Sequence, residues 1–412
     1  MKADAPSRRA TTALRVRSAV AFAGPAFLVC VGYIDPGNWG TDLAAGSRYG
    51  YDLLWVLVAA NVLALLLQHL SARLGVATGR DLAHVVGERL RPWPRRLYAV
   101  LAVGAMLVTE VAEFVGVVVA LQLLLGVPLG GAVVLGGLVV AALLSLGVSR
   151  SRPLERAVFL LLAVVAGAYV VELWLTRPGA EVAAGLVPSG LDAERGLVAL
   201  GILGAVVMPH NLFLHSGLVL ERRRPGLSRK GLLRRATVES AVALNLALLV
   251  NAAILVTAAA TFFDEGVVVE SLGEAHRALE PLLGPAAAVT FAVALLAAGL
   301  ASCITGGMAS QMVLDGLVLT RRRPPLLVRR LVALVPAAAV LASGVGEIEA
   351  LVWTQVVLSL ALPFVVVPLV WLCRDRELMG DLVLRGPLLW CGVAVTVLLV
   401  GLNAAGLLSL VL

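Results

Sequence analysis

The chain has 412 residues, 60% of them hydrophobic and only 14% charged, with a formal net charge of +7. That balance lies far outside the range of a water-soluble globular domain. Apolar runs near the ~20 residues that a bilayer crossing requires recur from residue 18 onward, so a polytopic membrane protein is expected.

Eleven spans are expected in chain order, at about 18–47, 52–74, 97–126, 130–148, 154–176, 196–220, 236–263, 286–317, 327–344, 350–373 and 387–411. The first follows a basic tail, 1–17, as a signal peptide would. It lacks a convincing cleavage site and carries Asp35, which reads as a retained span. Glu172 and Glu239 fall near predicted span ends, where solvation is expected. The connection 264–285 is long enough for a short lid or partial helix. The cysteines Cys30, Cys303, Cys373 and Cys391 sit singly in apolar runs without metal-ligand spacing and read as small buried residues.

Lys and Arg concentrate in the tail and in 73–96, 150–156, 222–235, 321–330 and 374–385, alternating with poor or acidic connections such as Asp264, Glu265, Glu270 and Glu274. The alternation follows the positive-inside rule for a cytoplasmic N-terminus, and eleven passes place the C-terminus on the extracellular or periplasmic side of the cell membrane. Runs such as Arg222-Arg223-Arg224 therefore read as topology anchors, and no nucleic-acid partner is expected. Nor is an obligate protein partner evident; the lipid bilayer is the expected surrounding. No phosphate-cradling glycine loop or soluble domain suggests ATP use.

Two stretches are wrong for plain spans. Within span 1, Asp35-Pro36-Gly37-Asn38 places a helix breaker, a glycine and an ionisable group at membrane depth. Within span 6, Met208-Pro209-His210-Asn211 repeats the Pro and Asn at the same offsets. Interrupted helices at corresponding positions of two halves point to a transporter's binding site. Residues 1–412 then form one transmembrane domain, with repeat 1 at 18–176, repeat 2 at 196–373 and an additional helix at 387–411. Five spans per repeat require the halves to be inverted, an arrangement suited to alternating access.

These paired motifs resemble the Nramp family of proton-coupled divalent metal transporters. Thr109-Glu110-Val111-Ala112-Glu113-Phe114, Leu249-Val250-Asn251-Ala252-Ala253, Thr305-Gly306-Gly307-Met308-Ala309-Ser310-Gln311, Asp315-Gly316 and Leu378-Met379-Gly380-Asp381 extend the likeness. The family usually has Asp where this chain has Glu110 and Glu where it has Asp315, and some relatives carry Gln at the position of Ala361. The resemblance implies an all-α, leucine-transporter-like fold with discontinuous helices 1 and 6. It also implies import of Mn²⁺ or Fe²⁺ with protons, and no permanently bound cofactor.

Asp35 and Asn38 offer a carboxylate and an amide oxygen that the break at Pro36 and Gly37 can turn toward one point. The plain alternative is a helix N-cap, for which both residue types are suited. Met208 adds a thioether, which favours Mn²⁺, Fe²⁺, Co²⁺ and Cd²⁺ over Mg²⁺ and Ca²⁺. Ala205 would contribute a carbonyl freed because Pro209 has no N–H. Gln355 in span 10 could add an amide oxygen or simply bridge helices. His210 is a candidate for proton transfer or gating. His215, roughly 500° further round a regular helix, is not its natural metal partner. Glu110 and Glu113 share one face of span 3. With Arg329 and Arg330 they resemble the family's proton route, a structural ion-pair network being the alternative. Gln68 is expected to hydrogen-bond near Asp35. Two rival functions remain at this point, a sodium-coupled amino-acid or organic-ion symporter of the same fold and a membrane-embedded metal-dependent enzyme.

Overall fold

A computed structural model describes residues 32–146, 152–223, 226–318 and 326–411, and these are helical with short connections. In hydrocarbon every backbone donor and acceptor must be satisfied within its own segment, which leaves helices as the solution for runs this apolar. In order they are α1 (Pro36–Tyr49), α2 (Leu54–Thr78), α3 (Leu82–Arg89), α4 (Pro92–Leu125), α5 (Leu129–Leu146), α6 (Arg152–Thr176), α7 (Ala193–Val206) and α8 (Pro209–Leu218). There follow α9 (Arg229–Ala258), α10 (Leu272–Leu283), α11 (Pro285–Leu317), α12 (Leu326–Ala342), α13 (Glu347–Cys373), α14 (Arg376–Met379) and α15 (Gly386–Val411). Among the described residues, eight helical stretches are long and apolar enough to cross a membrane. The shorter α5 and α12 occupy expected spans 4 and 9, and of span 1 the part before residue 32 lies outside the described residues.

Two helices start well before their apolar windows. Span 7 was expected from residue 236, yet α9 starts at Arg229, where the Ser228 hydroxyl accepts the Gly231 amide at 3.1 Å. Span 3 was expected from residue 97, yet α4 starts at Pro92, a residue whose missing N–H costs nothing at a helix start. Hydropathy finds the lipid-embedded part of a helix, whereas caps set its ends. The connection 264–285 holds α10, capped by the Ser271 side chain and packed on α11.

The interior is a bundle in which α1 packs against α7, α9 and α13, α7 against α13, α9 along α2, and α4 along α11. Small residues bring these backbones close: a Cβ at Gly299 of α11 would press on Val117 of α4, and one at Gly116 of α4 would strike the Pro36 ring. The last helix, α15, leans on α13 and leaves Trp390, Val397 and Leu408 exposed on its outer side, as a lipid-facing helix should.

Two expectations need correction. Glu172 is not solvated; it is 1% exposed, because it shares a face of α6 with Tyr169, which packs edge-on against Trp39 of α1. Glu239 is also buried, and it pairs with Arg222 at 3.3 Å. Cys303 and Cys373 are buried, but Cys391 is exposed on α15; Cys30 lies outside the described residues.

Candidate functional site

The two sequence breaks are physical breaks. At the first, Asp35 has extended backbone (φ −85°, ψ 167°) and Pro36 is the first residue of α1. At the second, α7 stops at Val206 and α8 restarts at Pro209, with Met208 between them at φ −44°, ψ 128°. Pro209 cannot donate a hydrogen bond back to the Ala205 carbonyl, so the last turn of α7 keeps an acceptor for other use.

Asp35 does cap α1, but with one oxygen only. Its Oδ1 accepts from the Asn38 backbone N–H and from Asn38 Nδ2, both at 2.8 Å. Its Oδ2 is buried and has no hydrogen-bond partner among the described residues. The capping and ligand readings of Asp35 are therefore compatible, because the two oxygens are divided between them. Asn38 is oriented in turn: its Nδ2 goes to Asp35, and its Oδ1 accepts from Asn251 Nδ2 of α9 at 3.3 Å. Asn251 Nδ2 also reaches the Tyr33 carbonyl at 2.8 Å, tying the residues before the break to α9.

The second break sits against the first. A Cβ at Gly32 would strike the Asn211 side chain, and Asn211 Nδ2 points to Met208 Sδ at 3.7 Å. Gln355 stands between the breaks. Its amide fills the space where Gly37 lacks a side chain, and its backbone lies against Gly204 of α7. The Gln355 Oε1 has no partner among the described residues. Asp35, Asn38, Ala205, Met208 and Gln355 are all buried. Among the described residues no three His, Cys, Asp or Glu side chains converge, so the donors gathered here are one carboxylate and several neutral groups.

His210 is the second residue of α8, with Nδ1 at 3.5 Å from the Thr109 hydroxyl of α4 and Nε2 without a partner among the described residues. His215 belongs to a separate chain of hydrogen bonds. Its Nδ1 meets Gln68 Oε1 at 2.5 Å, its Nε2 meets the Ser240 hydroxyl at 3.2 Å, and Gln68 Nε2 donates to the Tyr33 hydroxyl. Gln68 thus bonds two residues short of Asp35 rather than to Asp35 itself. Glu110 and Glu113 face α11: Ser310 Oγ donates to Glu110 Oε1 at 2.7 Å, and the Glu113 carboxylate packs where Gly306 has no Cβ. Arg329 and Arg330 fall in the first turns of α12, but their side chains lie outside those described.

The matches to known proteins bear on this arrangement. The family described as Natural resistance-associated macrophage protein-like, or Nramp, matches residues 26–409. The chain belongs to the Nramp family. A Deinococcus radiodurans protein named divalent metal cation transporter MntH is 41% identical over 397 residues, covering 94% of this chain and 89% of that one. A Brucella suis protein of the same name is 44% identical over 383 residues, covering 89% and 83%. Among solved structures, the manganese transporter of Eremococcus coleocola superposes with a TM-score of 0.80 at 32% identity, covering 98% of this chain and 88% of its own. Mhp1, a nucleobase-cation-symport-1 family transporter, superposes with a TM-score of 0.55 at 18% identity, covering 94% and 90%, which shows a shared fold alone. That fold is the leucine-transporter-like one of two inverted five-helix repeats.

Three buried polar groups of this Nramp chain escaped the sequence reading. Asn251 stood in a family-like stretch without an assigned task, yet it orients Asn38. Asp42 is fully buried in α1, and neither carboxyl oxygen has a hydrogen-bond partner among the described residues. The available signal was its spacing: two turns beyond Asp35, it falls on the same face of the helix. Glu172 completes the set, and its Oε1 likewise has no such partner.

Proposed function

We propose that this chain is a secondary transporter of divalent transition-metal ions, Mn²⁺ first, with Fe²⁺, Co²⁺ and Cd²⁺ also accepted, working by alternating access with protons moving inward alongside the metal. The observation that carries this reading is the buried Asp35 Oδ2, without a hydrogen-bond partner among the described residues, in a break that packs through Gly32 and Asn211 on the one that holds Met208. A carboxylate with amide and carbonyl oxygens suits hard and borderline divalent ions, and the thioether shifts preference from Mg²⁺ and Ca²⁺ toward the softer ones. The names of the relatives support the cargo, since two are divalent metal cation transporters and one is a manganese transporter.

In this reading Asp35, Asn38, Met208, the Ala205 carbonyl and Gln355 hold the ion. A proton displaced from Asp35 passes by way of His210 toward Glu110 and Glu113, and onward to Arg329 and Arg330. His215 and Gln68 gate from the side, through Tyr33. The alternation of basic and acidic connections supports a cell-membrane protein with its N-terminus in the cytoplasm and its C-terminus outside. Residues 18–176 and 196–373 are the inverted repeats, and 387–411 is an added helix. A sodium-coupled organic-ion symporter has no use for a thioether opposite a carboxylate. An embedded metalloenzyme would want further His, Cys, Asp or Glu side chains beside Asp35.

The test is uptake by the purified protein in sealed liposomes, with and without an inward-directed proton gradient. Saturable Mn²⁺ entry, stimulated several-fold by external acid and accompanied by internal acidification, is the expected result. Sodium-driven uptake of an amino acid or nucleobase without Mn²⁺ entry would overturn the reading. Mn²⁺ entry with no proton movement would remove the coupling and leave the cargo.

A further inference from the structure

Away from the two breaks, α2, α9 and the segment after α14 enclose a shallow cavity of about 440 Å³ lined by His69, Arg73, Lys230, Arg234, Thr237 and Asp381. Three permanent cations face one carboxylate, so the wall carries an excess of positive charge. Arg73 is built into it: Nε donates to the Leu382 carbonyl at 2.7 Å and one terminal nitrogen to the Val383 carbonyl at 3.3 Å. His69 is held by the Thr237 hydroxyl at 2.8 Å. Lys230 and Arg234 differ. They are exposed, stand one turn apart on α9, and make no ion pair or side-chain hydrogen bond with the described residues. Like charges at this spacing repel. Two cations left facing a positive wall at a membrane boundary call for an anion.

The surface next to the cavity says which kind. Val238 lines it and is 51% exposed, and from there an exposed apolar stripe of Val242, Leu246 and Leu249 climbs α9. A cationic cup opening onto an apolar stripe matches a molecule with an anionic head and a hydrocarbon tail, whereas a free phosphate would use the cup and ignore the stripe. We propose that the cup between α2 and α9 binds the phosphate headgroup of an anionic phospholipid, whose acyl chain lies along Val238, Val242, Leu246 and Leu249. The bound lipid bridges α2, α9 and the 380–385 segment. It grips α2 beside Gln68, the residue that links His215 to Tyr33.

Thermal unfolding of the whole protein tests this in nanodiscs of phosphatidylcholine alone and of phosphatidylcholine with added phosphatidylglycerol. The phosphatidylglycerol discs are expected to raise the unfolding midpoint of the wild type by several degrees. In the double variant Lys230→Gln/Arg234→Gln the rise should shrink by more than half. Titrated phosphatidylglycerol should bind that variant about thirtyfold more weakly, which is about 2 kcal/mol, or one per basic residue. A control variant, Arg91→Gln/Arg96→Gln, removes two exposed charges elsewhere and should keep the full rise. Equal midpoints in the two lipids, or an equal loss in the control variant, would overturn the site. Glycerophosphate or inorganic phosphate giving the same rise in phosphatidylcholine discs would overturn the lipid assignment. None of these readouts uses transport, so the outcome is independent of which ion the protein carries.

Discussion

Asp35 offers a clean separation between a structural and an ion-binding role, because its two oxygens have different surroundings. Asp35→Asn keeps an amide oxygen that can replace Oδ1 as acceptor from the Asn38 backbone N–H, so the cap on α1 survives. It exchanges the partnerless Oδ2 for a neutral donor. Asp35→Ala loses the cap as well, which costs about 1 kcal/mol. The lost charge is the larger effect. Two unit charges 4 Å apart interact by about 4 kcal/mol at an effective dielectric near 20, and a divalent ion doubles that. If desolvation leaves a third of the attraction, about 2.7 kcal/mol remains, or about a hundredfold in Kd. The assay is Mn²⁺ binding by calorimetry beside thermal unfolding without metal. Asn should bind Mn²⁺ about a hundredfold more weakly while unfolding near the wild-type temperature, and Ala should in addition unfold about a degree lower. Wild-type Mn²⁺ affinity in Asp35→Asn would refute the reasoning and leave Asp35 as a cap.

Three further outcomes are expected. Met208→Ala should still carry Mn²⁺, bind Cd²⁺ at least tenfold more weakly and lose its exclusion of Ca²⁺ and Mg²⁺; competition of millimolar Ca²⁺ against Mn²⁺ uptake measures this, and equal exclusion in both proteins would make the sulfur packing only. Glu110→Gln, which keeps an acceptor for the Ser310 hydroxyl, should lower metal-driven proton entry severalfold and leave Mn²⁺ affinity within about twofold; undiminished proton entry in both Glu110→Gln and Glu113→Gln would place the relay elsewhere. Gly37→Ala would set a methyl group on the Gln355 amide and 3.2 Å from Asp35 Oδ1, so about 1–3 kcal/mol of overpacking should reduce Mn²⁺ uptake tenfold or more; uptake in the variant near wild type would mean that Gln355 moves aside freely.

The sequence alone located the long apolar helices of this protein and the two places where helix fails. Both are local matters. A span is recognisable because an apolar run of sufficient length must satisfy its own backbone, and a break because Pro36 and Pro209 remove a donor wherever the rest of the chain lies. The family likeness rode on the same local motifs. What the tertiary structure decided is which buried polar groups meet. Nothing near Gln68 in the chain announces that its amide joins Tyr33 to His215, nor that Asn251 would steady Asn38 across the bundle. Glu172 reads as a span-end carboxylate until the docking of α6 turns its face inward, and Cys391 as a core residue until α15 is placed at the rim. In hydrocarbon the polarity of a side chain shows that it needs a partner, but only helix packing selects the partner. The sharing of Asp35 between a cap and an open position follows from that selection: α1 supplies donors for one oxygen, and the meeting of the two breaks leaves the other free.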